Sequence, residues 1–153
     1  MASIRPGTLA DVETIVAQRR AMFHEMGYRD RQALDAMCEA FRPWLERKMR
    51  DNQYLAWLAV DAGGAIAAGL GLWLMDWPAH LIGPGAPRGN ILNVYTRPES
   101  RRMGLARRLM ETSLAWCRAN GVSAVILHAS NDGRALYESM GFQSTNEMRI
   151  LLD

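Results

Sequence analysis

Cysteine is scarce in this chain. There are two, Cys38 and Cys117, far apart, with no CxxC and no histidine at a metal-ligand spacing. That argues against a disulfide scaffold and a thiolate metal site; both read as small buried hydrophobes in a reducing cytoplasm, and no metal is expected. Net charge is low as well. Eighteen Lys and Arg against sixteen Asp and Glu leave +2, too little to mark a nucleic-acid binder by bulk electrostatics. Long apolar runs are missing: the longest without a charge, Ala62 to Met75, is Gly-rich and falls short of the ~20 residues a membrane span needs. The start, MASIRPGT, carries no apolar signal core, so a cytoplasmic protein with no membrane partner is expected. Repeats, low-complexity tracts and linkers are absent, and 153 residues suit one domain spanning 1–153.

What is present is an ordinary globular composition, 49% hydrophobic and 22% charged. Ser3 to Arg5 reads as a short edge strand. Thr8 and Asp11 make a capping-box signature. The apolar spacing of Val12, Ile15, Val16, Met22, Phe23 and Met26 then predicts a helix stopped by Gly27. A second helix is expected from Arg31, broken or kinked at Pro43, with Trp44, Leu45 and Met49 on a short following helix. The period then changes. Tyr54 to Val60 and Ala65 to Met75 read as a hairpin joined by Asp61-Ala-Gly-Gly64. A Pro- and Gly-rich loop, Asp76 to Gly89, is long enough to be functional. Beyond it the pattern predicts a strand over Ile91–Thr96, a helix over Gly104–Asn120, a strand over Val122–Ala129, a short helix over Asp132–Met140 and a last strand over Met148–Leu152. The order implies an α/β chain whose mixed sheet carries helices on its faces.

The segment Arg97-Pro-Glu-Ser-Arg-Arg-Met-Gly104-Leu-Ala-Arg-Arg108 joins a strand to a helix start. First-turn amides lack internal partners, and the aligned peptide dipoles leave roughly half a positive charge there. Gly104 removes a side chain where backbone must approach a ligand, Ala106 keeps that approach open, and Arg101 and Arg102 add cations. This is the chemistry of a pyrophosphate cradle. From spacing alone, a solvated basic helix start stands level with it.

Arg101-Arg-Met-Gly104-Leu-Ala106 resembles the [Q/R]-x-x-G-x-[G/A] motif of the GNAT superfamily of acyl-CoA-dependent N-acyltransferases. Asn93-Val-Tyr-Thr-Arg-Pro98 is similar to that family's fourth strand and the turn after it. Leu127-His-Ala-Ser-Asn131 and Gly133-Arg-Ala-Leu-Tyr-Glu138 with Gly141-Phe142 resemble its fifth strand, fourth helix and LYExxGF signature. The resemblance implies the GNAT fold: a mixed, mostly antiparallel sheet whose parallel fourth and fifth strands splay apart, with helices on both faces. It implies acetyl-CoA as cosubstrate, with pantetheine along the backbone of Val94, Tyr95 and Thr96 and the diphosphate on the segment Arg101, Arg102, Met103, Gly104, Leu105, Ala106 and Arg107. Asn131 would reach the pantetheine arm.

The implied reaction is acetyl transfer to a primary amine of a small molecule or peptide by direct attack in a ternary complex. A phenol with pKa near ~10 can protonate a thiolate whose conjugate thiol has pKa near ~8.5 once both are desolvated, and the Tyr of LYExxGF places Tyr137 in that role. The oxyanion would meet a backbone amide near Val94 or Tyr95. Where many members carry a strand-four Glu this chain has Leu92, so the base stays open among Glu25, His24, Asp76 and a water chain. His128 reads as a structural residue inside the fifth strand. For the acceptor pocket the candidates are Glu25 and Asp76, which would draw a cation, with Tyr28, Trp73 and Trp77 offering aromatic faces. The short C-terminal tail leaves room for a homodimer that completes the sheet. Gly63-Gly-Ala-Ile-Ala-Ala-Gly-Leu-Gly71 lacks the G-x-G-x-x-G order and lies in a hairpin, which argues against a dinucleotide fold. The remaining rival is a GNAT-fold module that binds CoA as a sensor and is catalytically weak.

Overall fold

The computed structural model describes residues 1–84 and 87–153; the part of the Asp76–Gly89 loop at 85–86 lies outside them. Five strands form one sheet in sequence order: β1 (Ser3–Pro6), β2 (Tyr54–Val60), β3 (Ile66–Met75), β4 (Arg88–Thr96) and β5 (Val125–Leu127). The first three junctions are antiparallel and β4–β5 is parallel. Four helices complete the chain: α1 (Val12–Glu25), α2 (Arg31–Arg50), α3 (Leu105–Ala119) and α4 (Arg134–Ser139). The Thr8–Asp11 capping box is formed and opens a short 3₁₀ turn ahead of α1.

Each face of the sheet has its own apolar layer. On one, Val12, Ile15 and Val16 of α1 and Cys38, Phe41 and Leu45 of α2 pack against Tyr54 and Ala56. On the other, Leu105, Leu109, Met110 and Cys117 of α3 meet Trp57, Leu70, Leu72 and Ile91, with Tyr137 of α4 in the same layer. Both cysteines are free and buried.

Three expectations are corrected. Pro43 does not break the second helix: α2 runs unbroken from Arg31 to Arg50. An interior proline costs ~3 kcal/mol. Here Pro43 is exposed, while Leu34, Cys38, Phe41 and Leu45 bury one continuous stripe on both sides of it, and that packing outweighs the local cost. The fifth strand is confined to Val125–Leu127, because only Gly89–Ile91 of β4 pair with it. His128 therefore lies just past the strand and is exposed, with Nε2 3.7 Å from Glu147 Oε1. The last strand, Met148–Leu152, is not formed: the chain from Gln143 to Asp153 is irregular and exposed.

Candidate active site

The site begins with a distortion of β4. Gly69 pairs with Tyr95 but Gly71 with Leu92, so Asn93 and Val94 together face the single residue Leu70, a β-bulge. Asn93 sits there with φ 57°, a left-handed conformation that Asn tolerates better than most residues. Its buried side chain is held at both ends: Arg19 Nη1 donates to Asn93 Oδ1 at 2.7 Å, and Asn93 Nδ2 donates to the Tyr54 hydroxyl at 2.9 Å. Burial drives the Tyr54 phenol up to about 12. Burial lowers the Arg19 guanidinium, which lies 5.0 Å and 4.7 Å from the ring centres of Phe23 and Phe41. This trio was not singled out in the sequence. The signal was an Asn between the apolar Leu92 and Val94 of a strand, with an Arg on the buried side of an amphipathic helix.

The bulge sits where β4 leaves β5. Pairing with β5 ends at Ile91, so Val94, Tyr95 and Thr96, all half-buried, have no strand partner on that side among the described residues, and the Thr96 carbonyl accepts from Arg101 Nε at 2.9 Å. The strands part as a V. At its wider end lies the turn into α3. Arg102 and Gly104 are both left-handed, φ 63° and 75°, after an extended Arg101. A Cβ built on Gly104 meets nothing within 4 Å, so the space above it is open. The first backbone bond inside α3 is Arg108 N to Gly104 O, and no side chain caps the helix. The amides of Leu105, Ala106 and Arg107 are thus left without a helical acceptor. Arg101, Arg102, Met103 and Arg107 are exposed around them, Leu105 is buried and Ala106 half-buried.

Tyr137 stands beside this cradle. Arg107 Nη2 donates to Ser139 Oγ at 2.6 Å, tying the first turn of α3 to α4. Leu136 and Met140 were expected to face the core and turn Tyr137 outward. Instead Tyr137 is the most buried residue of α4, 9% exposed, and it packs edge-on to Phe142 at 6.1 Å. Gly133 is required there, since a Cβ would lie 2.8 Å from the Tyr137 ring. Burial pushes the phenol above its ordinary value, which keeps it protonated. Asn131 is exposed in the turn entering α4.

The candidate acceptor residues do not form one cluster. Glu25 is ion-paired to Arg101 at 2.6 Å, so it belongs to the cradle side. Tyr28 is exposed and packs edge-on to Phe23. Trp73 packs against Trp44 at 5.3 Å, and Trp77 carries the Arg88 guanidinium 4.0 Å from its ring centre. Asp76 is exposed at the end of β3. His24 contacts Arg29. Leu92 packs on the apolar layer beneath α1 and α2. Among the described residues no group of three or more His, Cys, Asp or Glu could hold a metal ion, and no helix is long and apolar enough to cross a membrane.

Known proteins share this fold. A GCN5-related N-acetyltransferase of Ralstonia eutropha JMP134 superposes with a TM-score of 0.92 at 37% identity, covering 99% of both chains. A predicted acetyltransferase from Clostridium acetobutylicum, solved with acetyl-CoA, shares the fold at a TM-score of 0.90 and 24% identity, over 99% of this chain and 96% of that one. Human N-acetyltransferase 8 is 36% identical over 63 residues, which is 39% of this chain and only 28% of that protein's length. Residues 17–142 match the Acetyltransferase (GNAT) family, and the chain belongs to it.

Proposed function

We propose that the protein is an N-acetyltransferase that moves an acetyl group from acetyl-CoA to a primary amine of a small molecule or peptide, by direct attack in a ternary complex. The observation that carries this reading is the juxtaposition of an uncapped, open helix start at Gly104 with a V-shaped gap between β4 and β5 and a buried phenol, Tyr137, on the adjoining helix.

The residues present fit the cosubstrate. Space above Gly104 is open, the Leu105–Arg107 amides are free for anionic oxygens, and Arg101, Arg102 and Arg107 add positive charge that a diphosphate would complement. When bound, acetyl-CoA supplies an electrophilic thioester carbon and a thiol leaving group. The backbone of Val94–Thr96, which has no strand partner on the β5 side, orients the arm between the strands, and an amide of Val94 or Tyr95 donates to the carbonyl oxygen as negative charge grows on it. Tyr137 holds a proton for the sulfur; its desolvation keeps that proton in place until the thiolate forms. The amine must lose a proton, and the acceptor there is Glu25, His24, Asp76 or a water chain.

A second reading is a CoA-binding sensor of low catalytic power. Leu92 favours it, since that strand position offers packing and no base. Turnover of acetyl-CoA across a panel of amines, read as free CoA, separates the two. Release above the hydrolysis background with one amine class supports transfer. Tight acetyl-CoA binding with no release for any amine supports the sensor.

A further inference from the structure

We infer that Arg19 is a positioning residue: held behind β4 by Asn93, its uncompensated charge favours negative charge on the thioester oxygen, a role that rests on the acetyl-transfer reading above. Arg19 is half-buried on α1, with its guanidinium against the rings of Phe23 and Phe41. Nη1 donates to Asn93 Oδ1, while Nε is buried with no hydrogen-bond partner. A cation drawn out of water is ordinarily paired with an acid. Arg5, Arg20 and Arg97 follow that rule, each paired with an aspartate. Arg19 does not. The groups that favour its charge are the Tyr54 phenol and the Cys38 thiol, and no carboxylate is among them.

Stability alone would put Asp, not Asn, at position 93. One Asp oxygen would pair with Arg19 and the other would accept from the Tyr54 hydroxyl, which can turn to donate. Asp also tolerates φ 57° much as Asn does. That trio would be fully satisfied and neutral. Asn makes the same two contacts and leaves the guanidinium positive.

Placement gives that charge a use. Asn93 and Val94 form the bulge of β4, and an amide of Val94 or Tyr95 is the proposed donor to the thioester oxygen. The guanidinium lies one side chain behind those amides, in an apolar layer with Leu92 and Phe41. A fixed charge acts more strongly there than in water. Glu25, farther along α1, is already paired with Arg101. As the amine nitrogen bonds to the carbonyl carbon, the C=O π pair moves onto oxygen, and only then does the field gain its full effect. It therefore lowers the barrier more than it tightens binding.

Asn93→Asp separates field from architecture, because it keeps the shape and both contacts. Its melting temperature should equal or exceed that of the wild type, and acetyl-CoA should raise both alike. With the best amine, kcat should fall about 10- to 100-fold, short of the ~10²–10³ lost with a direct oxyanion donor. Arg19→Lys, which keeps the charge, should retain more kcat than Arg19→Gln, which keeps only a donor. The infrared carbonyl band of carbon-13-labelled acetyl-CoA adds a reading that needs no amine. It should lie lower on the wild type than in water, and Asn93→Asp should move it back up. A destabilised Asn93→Asp chain, wild-type kcat with an unmoved band, or equal activity in the Lys and Gln variants would each overturn the proposal and leave acetyl transfer standing. A band that responds to Asn93→Asp in a chain that acetylates no amine would support the role of the charge and overturn acetyl transfer. A wild type that binds no acetyl-CoA would overturn both.

Discussion

Arg101, in the turn that leads to the α3 cradle, is ion-paired with Glu25 at the end of α1, its Nη2 2.6 Å from Oε2, while its Nε donates to the Thr96 carbonyl. One guanidinium thus links the proposed cosubstrate side to Glu25, a proposed acceptor carboxylate. Both side chains are about two-fifths exposed, so the pair adds little to stability, within about 1 kcal/mol.

Glu25→Gln should accordingly leave the melting temperature nearly unchanged. If Glu25 draws a cationic amine, the amine KM rises about fivefold, the worth of ~1 kcal/mol, while KM for acetyl-CoA stays or falls because Arg101 is released to the diphosphate. Two-substrate initial-rate kinetics measures both. A rise confined to acetyl-CoA would assign Glu25 to holding Arg101 in place.

Gly104→Glu should fold and lose the cosubstrate. The site is open to a side chain, but φ 75° costs a non-glycine residue about 1–2 kcal/mol, and the carboxylate repels a diphosphate. Acetyl-CoA should raise the melting temperature of the wild type, as a ligand selective for the folded state does, and leave that of the variant unmoved. An equal shift in both would remove the diphosphate from this turn.

Alkaline stability should depend on Tyr54. Its folded pKa, about 12, stands above the ordinary 10. Stability from this group is therefore complete below pH 10 and is lost as pH rises through 12, because the unfolded chain releases the proton first. The loss over that window is about 2–3 kcal/mol. Tyr54→Phe should lower stability at neutral pH by stranding the Asn93 amide, and should flatten the alkaline decline. Denaturant titrations from pH 8 to 11.5 decide it; an unchanged slope would mean that the hydroxyl is solvated in solution.

The apolar patterns were enough to place most of the elements, because α1 and α3 bury one clear face each and the β2–β3 hairpin is a nearly continuous apolar run covered on both faces. Gly104 and the run from Gly133 to Phe142 marked the family by residue type. Other features could not be read from local pattern. The proline rule at Pro43 was outweighed by a buried stripe that only the packed helix pair reveals. Asn93, Arg19 and Tyr54 meet across three separate elements, so no spacing within one segment announces them. Gly69 and Gly71 resembled a nucleotide fingerprint, yet each serves a close contact: a Cβ would lie 2.2 Å from Gln18 Oε1 and 1.9 Å from the Tyr54 hydroxyl. Met148–Leu152 has the pattern of a strand and no strand partner among the described residues.

Tyr137→Phe is the most direct test of acid catalysis within the proposed acetyl transfer. The substitution keeps the ring against Gly133 and Phe142 and removes only the proton donor. A positioned acid contributes about 10²–10⁴-fold, so kcat with the best amine should fall by that range. Acetyl-CoA affinity should hardly change, because the phenol is needed when charge develops on sulfur, and any high-pH limb that reports this phenol should vanish from the rate profile. A Phe variant that retains full kcat and the same pH profile would contradict the account and leave Tyr137 a packing residue.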